Sequence, residues 1–204
     1  MKKLYDRWGQ QVHFVDVMVR QAHPGPGAPT YKSFEDKLRD AQSFQREEGL
    51  PWAVLVDDLE GTVHQVYGTL ADPAYLIDTD GRVSYYNMWT YVPALHQAIE
   101  AVLGQGGRGV VEGGMRRTPN LGPTLTDGWN GLRRGWPQSF FEMELATPGS
   151  ASGAWLGHQV RPLLAPLTLR AEPLPALDRA AIGAGVAIAL GFVAHWMRRR
   201  PRRH

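Results

Sequence analysis

Apolar positions in the first hundred residues recur with two spacings, one typical of strands and one typical of a helix. Continuous apolar runs of strand length occupy Val12–Val19 and Trp52–Val56, a pattern that favours strands buried on both faces of a parallel sheet. Between them, a helix is predicted by apolar residues three and four positions apart. These residues are Tyr31, Phe34, Leu38, Ala41 and Phe44. Ser33 with Asp36 predicts the start of this helix, and Gly49 predicts its end.

The pattern then predicts a hairpin and a closing helix. A short helical turn is expected around residues 63–67. Ala74–Asp78 and Arg82–Tyr86 flank Asp80-Gly81, a pair of residues typical of a tight turn between antiparallel strands. Apolar residues at helical spacing follow at Val92, Leu95, Ile99 and Val102. The order of strand, helix, strand, turn, hairpin and helix predicts an α/β layer domain over residues 1–103.

The composition changes after this domain. Residues 104–149 contain 11 Gly and 4 Pro, so residues 104–176 are predicted to form an extended Gly/Pro-rich arm, with residues 139–145 and 163–169 as its strand candidates. One interpretation is a flexible connector. The other is an arm anchored on a partner by its large aromatic side chains, because aromatic residues concentrate binding energy at interfaces. The predicted anchors are Trp129, Trp136, Phe140, Phe141 and Trp155.

The C-terminal segment 177–204 is predicted to be a transmembrane helix with a basic tail. Ala180–Met197 contains no Asp, Glu, Lys or Arg, and 18 helical residues would cover about 27 Å of hydrocarbon. The predicted interfacial residues are Trp196, Arg198, Arg199, Arg200, Arg202 and Arg203. Gly183, Ala187 and Gly191 are four positions apart, which predicts a face for close contact with another helix. We therefore expect a single-pass membrane protein.

Charge and cysteine content narrow the classes of function. Residues 1–103 carry 9 basic and 14 acidic side chains, whereas residues 104–204 carry 13 basic and 6 acidic ones. Arginines that directly follow an apolar span favour contact with anionic lipid headgroups over nucleic acid. The globular domain is expected on the cytoplasmic side, although the arginine tail also fits the opposite orientation. The chain has no Cys, which excludes disulfides and thiol chemistry.

No cofactor or metal site is predicted from the side chains. The seven histidines lack the spacings typical of zinc ligands. Asp57-Asp58 follows a predicted strand, where a helix cap is favoured over a cation site because no further ligand has a suitable spacing. We therefore predict no catalytic, metal or cofactor residues.

Residues 12–103 resemble the thioredoxin-like redoxin superfamily, and within it the iodothyronine-deiodinase-like proteins. The resemblance depends on the order of short motifs, each of low specificity alone. These motifs are Gln21-Ala22-His23-Pro24, Val56-Asp57-Asp58, Tyr67-Gly68, Tyr75-Leu76-Ile77-Asp78 and Gly81. It covers about half of the chain and implies a degenerate thioredoxin-like fold.

Two departures from that family bear on function. The family's cysteine or selenocysteine nucleophile lies in a loop before the strand that matches Val12–Val19, and no counterpart is present here. The family also has a proline ahead of the hairpin, and in this chain the corresponding proline, Pro73, lies two residues later.

The family's central strand has no counterpart in this chain either, and its absence would leave two strand edges unpaired. We expect Ser139–Leu145, or a strand from a partner, to fill this position.

These observations predict a non-catalytic structural or assembly subunit of a larger membrane protein complex, such as a respiratory or photosynthetic one. Its thioredoxin-like domain would serve protein–protein contacts, and its partners would be integral membrane subunits and lipid headgroups. An alternative is a deiodinase-like or redoxin-like oxidoreductase whose nucleophile comes from a partner or from a preceding segment. A third interpretation is a small-molecule binding module that uses the loop around His23 and Pro73.

Overall fold

The first half of the chain is an α/β layer in which helices and short strands alternate. The computed structural model describes residues 1–21, 24–111 and 121–199. The helices of this half are α1 (Lys2–Trp8), α2 (Phe34–Glu48), α3 (Thr62–Val66) and α4 (Val92–Gly104), and the strands are β1 (Val15–Met18), β2 (Ala53–Val56), β3 (Ala74–Ile77) and β4 (Val83–Asn87). After α1, the order of these elements follows the order that the apolar pattern predicts.

The four strands form two separate sheets. β1 pairs with β2 in parallel, with Val15 opposite Ala53, and β3 pairs with β4 in antiparallel register, with Tyr75 opposite Tyr86. The core lies under the second sheet, where α4 packs on Leu76 and Tyr85. The buried members of this core are Leu4, Leu76, Tyr85, Leu95, Ala98, Ile99 and Val102.

Local capping determines where α2 begins and ends. The Ser33 hydroxyl accepts a hydrogen bond from the Asp36 backbone N–H at 3.1 Å, which satisfies one of the free amides of the first turn. Gly49 ends the helix in the left-handed conformation, with φ at 56°, where glycine has no side chain to clash. The predicted cap and stop are confirmed.

The predicted extended arm is wrong for residues 121–168, which are helical. The helices are α5 (Leu121–Leu132), α6 (Gln138–Ala146), α7 (Ser150–Gln159) and α8 (Arg161–Thr168), with a 3-10 turn at Arg133–Gly135. Both strand candidates are therefore wrong, since residues 139–145 lie in α6 and most of residues 163–169 lie in α8. Phe140 and Met143, three positions apart, pack against one buried cluster, so the apolar spacing that matters here is helical.

The glycines and prolines of this segment start helices and allow close packing. Pro137 is the N-cap residue of α6, and Pro162 lies in the first turn of α8, where a missing N–H costs nothing. A β-carbon on Gly157 would lie 2.1 Å from the carbonyl oxygen of Leu125. Helices α5 and α7 therefore approach closely enough that only glycine fits at this contact.

A carboxylate on α2 connects the α/β layer to the helical segment. Asp40 accepts a hydrogen bond from the Tyr31 hydroxyl at 2.6 Å and forms an ion pair with Arg134 at 2.6 Å. The Arg134 and Asp40 side chains are largely buried, at 29% and 19% exposed. A β-carbon on Gly25 would lie 2.1 Å from the carbonyl oxygen of Gly135. The backbone of the loop at Gly25 therefore lies directly against the backbone of the 3-10 turn, beside this ion pair.

The last helix, α9 (Ala176–Arg199), belongs to a second compact unit, Glu172–His204, whereas residues 1–171 form the first. Among the described helices, α9 included, none combines the length and the apolar character needed to cross a membrane. Half of the 18 residues from Ala180 to Met197 are Ala or Gly, and small side chains gain little free energy from transfer into hydrocarbon. The predicted transmembrane helix, the single-pass topology and the membrane localisation are therefore wrong.

The close contact of α5 and α7 predicts opposite effects for two glycine substitutions. Gly157→Ala should destabilise the protein by about 2 kcal/mol or more, because its β-carbon would overlap the Leu125 carbonyl. Gly131→Ala is the matched control in α5, where a β-carbon would meet none of the described atoms within 4 Å beyond the helix's own nearby backbone, and should stabilise by about 0.5–1 kcal/mol through helix propensity. Urea unfolding measures both, and equal effects would contradict the close packing.

The Asp40–Arg134 pair should show measurable coupling in a double-mutant cycle. We expect about 1–2 kcal/mol between Asp40→Ala and Arg134→Ala, because the pair is partly buried and hydrogen-bonded. The control is the exposed pair Asp36–Arg39 on α2, where coupling should stay below about 0.5 kcal/mol. Thermal or urea unfolding of the four variants in each cycle gives the two energies. Equal coupling energies in both cycles would contradict a role for Asp40 in connecting the α/β layer to the helical segment.

Candidate functional site

An open cavity on the helical segment is a candidate site among the described residues. Its volume is about 450 Å³, which lies in the range of ligand pockets. We call it the aromatic cavity, and its lining residues are Trp129, Trp136, Phe140, Ser152, Trp155 and Leu156. Five of these six side chains are aromatic or aliphatic, so the cavity favours apolar groups.

Three helical elements bring the aromatic rings together. Trp129 comes from α5, Trp136 follows the 3-10 turn, and Phe140 lies in the first turn of α6. The ring centroids of Trp129 and Trp136 are 5.8 Å apart, and those of Trp136 and Phe140 are 5.3 Å apart. Both pairs meet edge to face, the arrangement that aromatic quadrupoles prefer. The rings therefore hold one another in fixed orientations.

The rim of the aromatic cavity exposes large apolar side chains. Trp136 is 50% exposed, Trp155 is 45% exposed and Leu156 is 58% exposed. Phe141, which stacks on Trp136 with a centroid distance of 6.5 Å, is 59% exposed. Contiguous exposed apolar groups beside a concave surface are typical of an interaction site.

Two polar side chains hold the walls of the cavity through hydrogen bonds. Ser139 is fully buried and donates a hydrogen bond from its hydroxyl to the Leu132 carbonyl at 2.5 Å, which ties α6 to the end of α5. Glu144 accepts hydrogen bonds from the backbone N–H groups of Gly149, Ala151 and Ser152 at 2.7, 3.1 and 3.0 Å. Glu144 thus caps α7, the helix that carries Trp155.

The cap also determines the ionisation of Glu144. Hydrogen bonds from the backbone N–H groups of Ser152 and Gly149 lower the pKa of the Glu144 carboxyl below its ordinary value of 4.5. The ionised form accepts these hydrogen bonds and faces the positive end of the α7 dipole. Glu144 is therefore charged at neutral pH.

Asp57 and Asp58 form a helix cap in the α/β layer. The buried Asp57 carboxylate accepts hydrogen bonds from the backbone N–H groups of Val63 and His64, each at 2.9 Å. The Asp58 carboxylate accepts one from the Thr62 N–H at 2.8 Å. These contacts hold the start of α3. Within residues 1–21, 24–111 and 121–199, no group of three or more acidic or histidine residues is placed to hold a metal ion.

Beneath this cap lies a buried lysine. Lys37 is 2% exposed, and its Nζ donates to the backbone carbonyl of Asp58 at 2.9 Å. Desolvation lowers the pKa of Lys37, while the charges of Asp57 and Asp58 oppose this shift. Helix α2, which carries Lys37, packs against β2. We attribute a structural role to this lysine, because it fastens α2 to the end of β2.

The structure brings together the five predicted aromatic anchors. Four of them line the aromatic cavity and the fifth, Phe141, stacks beside it. They lie on packed helices instead of an extended arm. Their predicted role in holding a partner stays a prediction.

The other predicted residues lie elsewhere. Gly183 and Gly191 are on α9, where an added β-carbon would meet none of the described atoms within 4 Å outside the helix's own nearby backbone, and Ala187 is exposed on the same helix. Trp196, Arg198 and Arg199 are in the last turns of α9. Arg200, Arg202, Arg203 and His23 are outside the described residues. Pro73 is half-buried just before β3 and takes no part in the aromatic cavity.

Sequence reasoning missed Ser152 and Leu156, the two non-aromatic members of the lining. Both lie on α7, which also carries Gly153 and Gly157. Two glycines four positions apart are a signal for close helix packing. This spacing could have identified α7 as a helix and placed Ser152 and Trp155 near one face of it.

Comparisons place the chain in no known group. No family model, no curated protein and no solved structure matches it. The thioredoxin-like relationship therefore stays a prediction, and the site must be interpreted from its own chemistry.

The Glu144 cap predicts a pH-dependent difference in stability. Because its pKa is lower in the folded state, Glu144 stabilises the fold above pH 4.5 and loses this contribution as the pH falls below that value. Glu144→Gln should lower the melting temperature at pH 7, and the difference from the original protein should shrink as the pH falls below 4.5 and through the lowered pKa of Glu144. The control is Glu142→Gln, an exposed carboxylate whose partner is Gln138. A difference that persists unchanged at low pH would contradict an electrostatic cap.

Proposed function

We propose that this chain is a non-catalytic assembly protein that holds a partner polypeptide at the aromatic cavity. The observation that carries the proposal is the cavity itself, which is lined by three tryptophans, one phenylalanine, one leucine and one serine. The partner would insert an apolar side chain there. The surrounding exposed rings would exclude water from the contact.

The distribution of exposure supports binding over a purely structural role. Trp129 and Phe140 are half-buried and pack against the Leu132–Ala151–Ala154 cluster, so they support the cavity from below. Trp136 and Trp155 leave about half of their surface in water. Tryptophan contributes more binding energy than most residues when a partner covers it, and a rim of apolar contacts around it keeps water out. An uncovered arrangement of this kind is the form expected of an unoccupied docking site.

The non-catalytic part of the proposal is supported by the absence of Cys from the sequence. Redox exchange in thioredoxin-like proteins depends on a thiolate or selenolate nucleophile, which Ser and Met do not replace. The aromatic cavity offers one hydroxyl, that of Ser152, and no carboxylate or imidazole in its lining. This lining suits binding by exclusion of water and not proton transfer.

A small apolar ligand is the second candidate, and the cavity volume is the observation that favours it. The two candidates differ in how much of the rim they cover. A small ligand would fill the space between Trp129 and Trp155, whereas a polypeptide would also cover Phe141 outside the lining. Protection of Phe141 therefore distinguishes them.

Photo-crosslinking in the cells that produce the protein tests this proposal. p-Benzoylphenylalanine in place of Phe141 should give one reproducible polypeptide adduct, because the partner covers this position. The control places the same group at Leu163, which is 76% exposed on α8 and outside the cavity lining. Adducts of equal yield at the two positions, or none at Phe141, would contradict docking at the cavity.

A substitution at the cavity should then reduce the adduct. Trp136→Ala should weaken binding by about 2 kcal/mol, roughly thirtyfold, as expected for a central aromatic residue of an interface. The matched control is Leu145→Ala, an 84% exposed residue of the same segment, which should leave the yield unchanged. If both variants reduce the yield equally, the effect arises from general loss of structure and the proposal is wrong.

A further inference from the structure

The lining of the aromatic cavity is rich in tryptophan. Among the described residues that line it are three of the seven tryptophans of the chain, Trp129, Trp136 and Trp155, whereas Leu156 is its aliphatic member. Sites for plain apolar groups are lined by aliphatic and aromatic side chains alike. The negative face of an indole ring also attracts a cation, more strongly than the rings of tyrosine and phenylalanine do. The composition therefore favours a cationic occupant.

The walls of the cavity are steeply inclined to one another. The plane of the Trp129 ring makes angles of 66° with the Trp136 ring and 80° with the Phe140 ring, and the last two rings meet at 63°. Trp155 provides a further wall from a different helix, α7. A flat ligand stacks best between parallel rings, whereas inclined rings surround a compact, rounded group. The geometry therefore favours a tetrahedral group over a planar one.

The lining offers little to a cation that needs hydrogen bonds. The Ser152 hydroxyl is the acceptor that its described side chains contribute. A lysine ammonium has three N–H donors and an arginine guanidinium has five, so most of these donors would lose their water without gaining a partner. Methylation of a lysine nitrogen removes its donors and keeps its charge. A trimethylated nitrogen therefore suits this lining better than an unmodified basic side chain.

The charges around the cavity complement a cation. The Glu144 carboxylate accepts a hydrogen bond from the backbone N–H of Ser152, a lining residue, over 3.0 Å. Arg134 on the 3-10 turn forms an ion pair with Asp40 at 2.6 Å, which reduces its repulsion of a second cation. Arg133 on the same turn is exposed, and neither arginine belongs to the lining. The charge that adjoins the cavity through a lining residue is thus negative.

We propose that the aromatic cavity binds a trimethylated lysine side chain of the partner polypeptide. The methyl groups would contact the tryptophan rings, and the aliphatic stem would cross the exposed rim at Leu156. This inference rests on the proposed function, because it specifies which side chain the partner inserts. A choline headgroup carries the same trimethylated nitrogen without the lysine stem, and it is the competing occupant in the test.

Titration of the full chain with three small compounds tests the inference. The compounds are the N-acetyl amides of trimethyllysine, of unmodified lysine, and of the neutral analogue of trimethyllysine in which a carbon replaces the side-chain nitrogen. The NMR signals of the indole N–H groups of Trp136 and Trp155 should shift with the trimethyllysine compound, while that of Trp52 in the core stays unchanged. The trimethyllysine compound should bind about tenfold more tightly than the neutral analogue, and unmodified lysine should bind most weakly.

Fluorinated tryptophan separates the attraction between cation and ring from the shape of the cavity. Replacement of every tryptophan by 5-fluorotryptophan weakens the negative ring face with little change in size. Affinity for the trimethyllysine compound should fall about threefold, and affinity for the neutral analogue should stay the same. Trp136→Leu should reduce the tenfold preference for the charged compound to about threefold. Leu163→Ala, on α8 and outside the lining, should leave this preference unchanged.

The outcomes separate this inference from the proposed function. Equal affinity for the charged and neutral compounds, or a preference that fluorination does not change, would overturn the inference and leave docking of a plain apolar side chain intact. Absence of binding of the trimethyllysine compound would overturn it as well. Tighter binding of free choline would overturn the assignment to a polypeptide, because the lysine stem would then contribute nothing. Failure of docking itself would appear as the loss of the crosslink at Phe141.

Discussion

The close backbone approach of α5 and α7 is the contact on which the candidate site depends. The Leu125 carbonyl occupies the space that any side chain at position 157 would need. This approach places Trp129 on one wall of the aromatic cavity and Trp155 on another. A separation larger by one methyl group would move the walls apart and loosen the ring contacts. The glycine is thus a structural requirement of a surface built from large side chains.

The first compact unit, residues 1–171, contains two hydrophobic cores that support different parts of the structure. The core around Leu76 and Ile99 holds the α/β layer, and the smaller cluster around Leu132 and Ala154 supports the aromatic cavity. Asp40 connects them, because its carboxylate accepts hydrogen bonds from Tyr31 on one side and from Arg134 on the other. Burial and the hydrogen bond to Asp40 raise the pKa of the Tyr31 hydroxyl, so the donor stays protonated. The layer therefore acts as the support on which the helical segment is held.

The sequence predicted the local structure well where one short-range signal determines the conformation. Ser33 and Gly49 delimit α2 through contacts within a few residues, and Gly81 takes the positive φ that its turn requires. The helices α5 to α8 were missed because glycine and proline were interpreted as signs of an extended chain. Whether a glycine loosens a segment or allows close packing depends on a partner distant in sequence, such as Leu125 for Gly157.

The candidate site could be predicted only in part, because its formation also depends on contacts between residues distant in sequence. Large aromatics in a Gly-rich segment pointed to an interaction surface, but their convergence on one cavity depends on helix packing that no local pattern encodes. The apolar C-terminal stretch was misjudged because its absence of charge was weighted more than the small size of its side chains. Half of that stretch is Ala or Gly, and absence of charge alone does not make a membrane span.

The central claim is that the exposed rings of the aromatic cavity are covered when the protein performs its function. Hydroxyl-radical footprinting of the protein in its native cell extract, compared with the purified chain, measures this directly. We predict that oxidation of Trp136 and Trp155 slows several-fold in the extract, while Trp52, which is 6% exposed in the core, reacts equally slowly in both samples. Equal oxidation of Trp136 and Trp155 in extract and in purified protein would contradict the account.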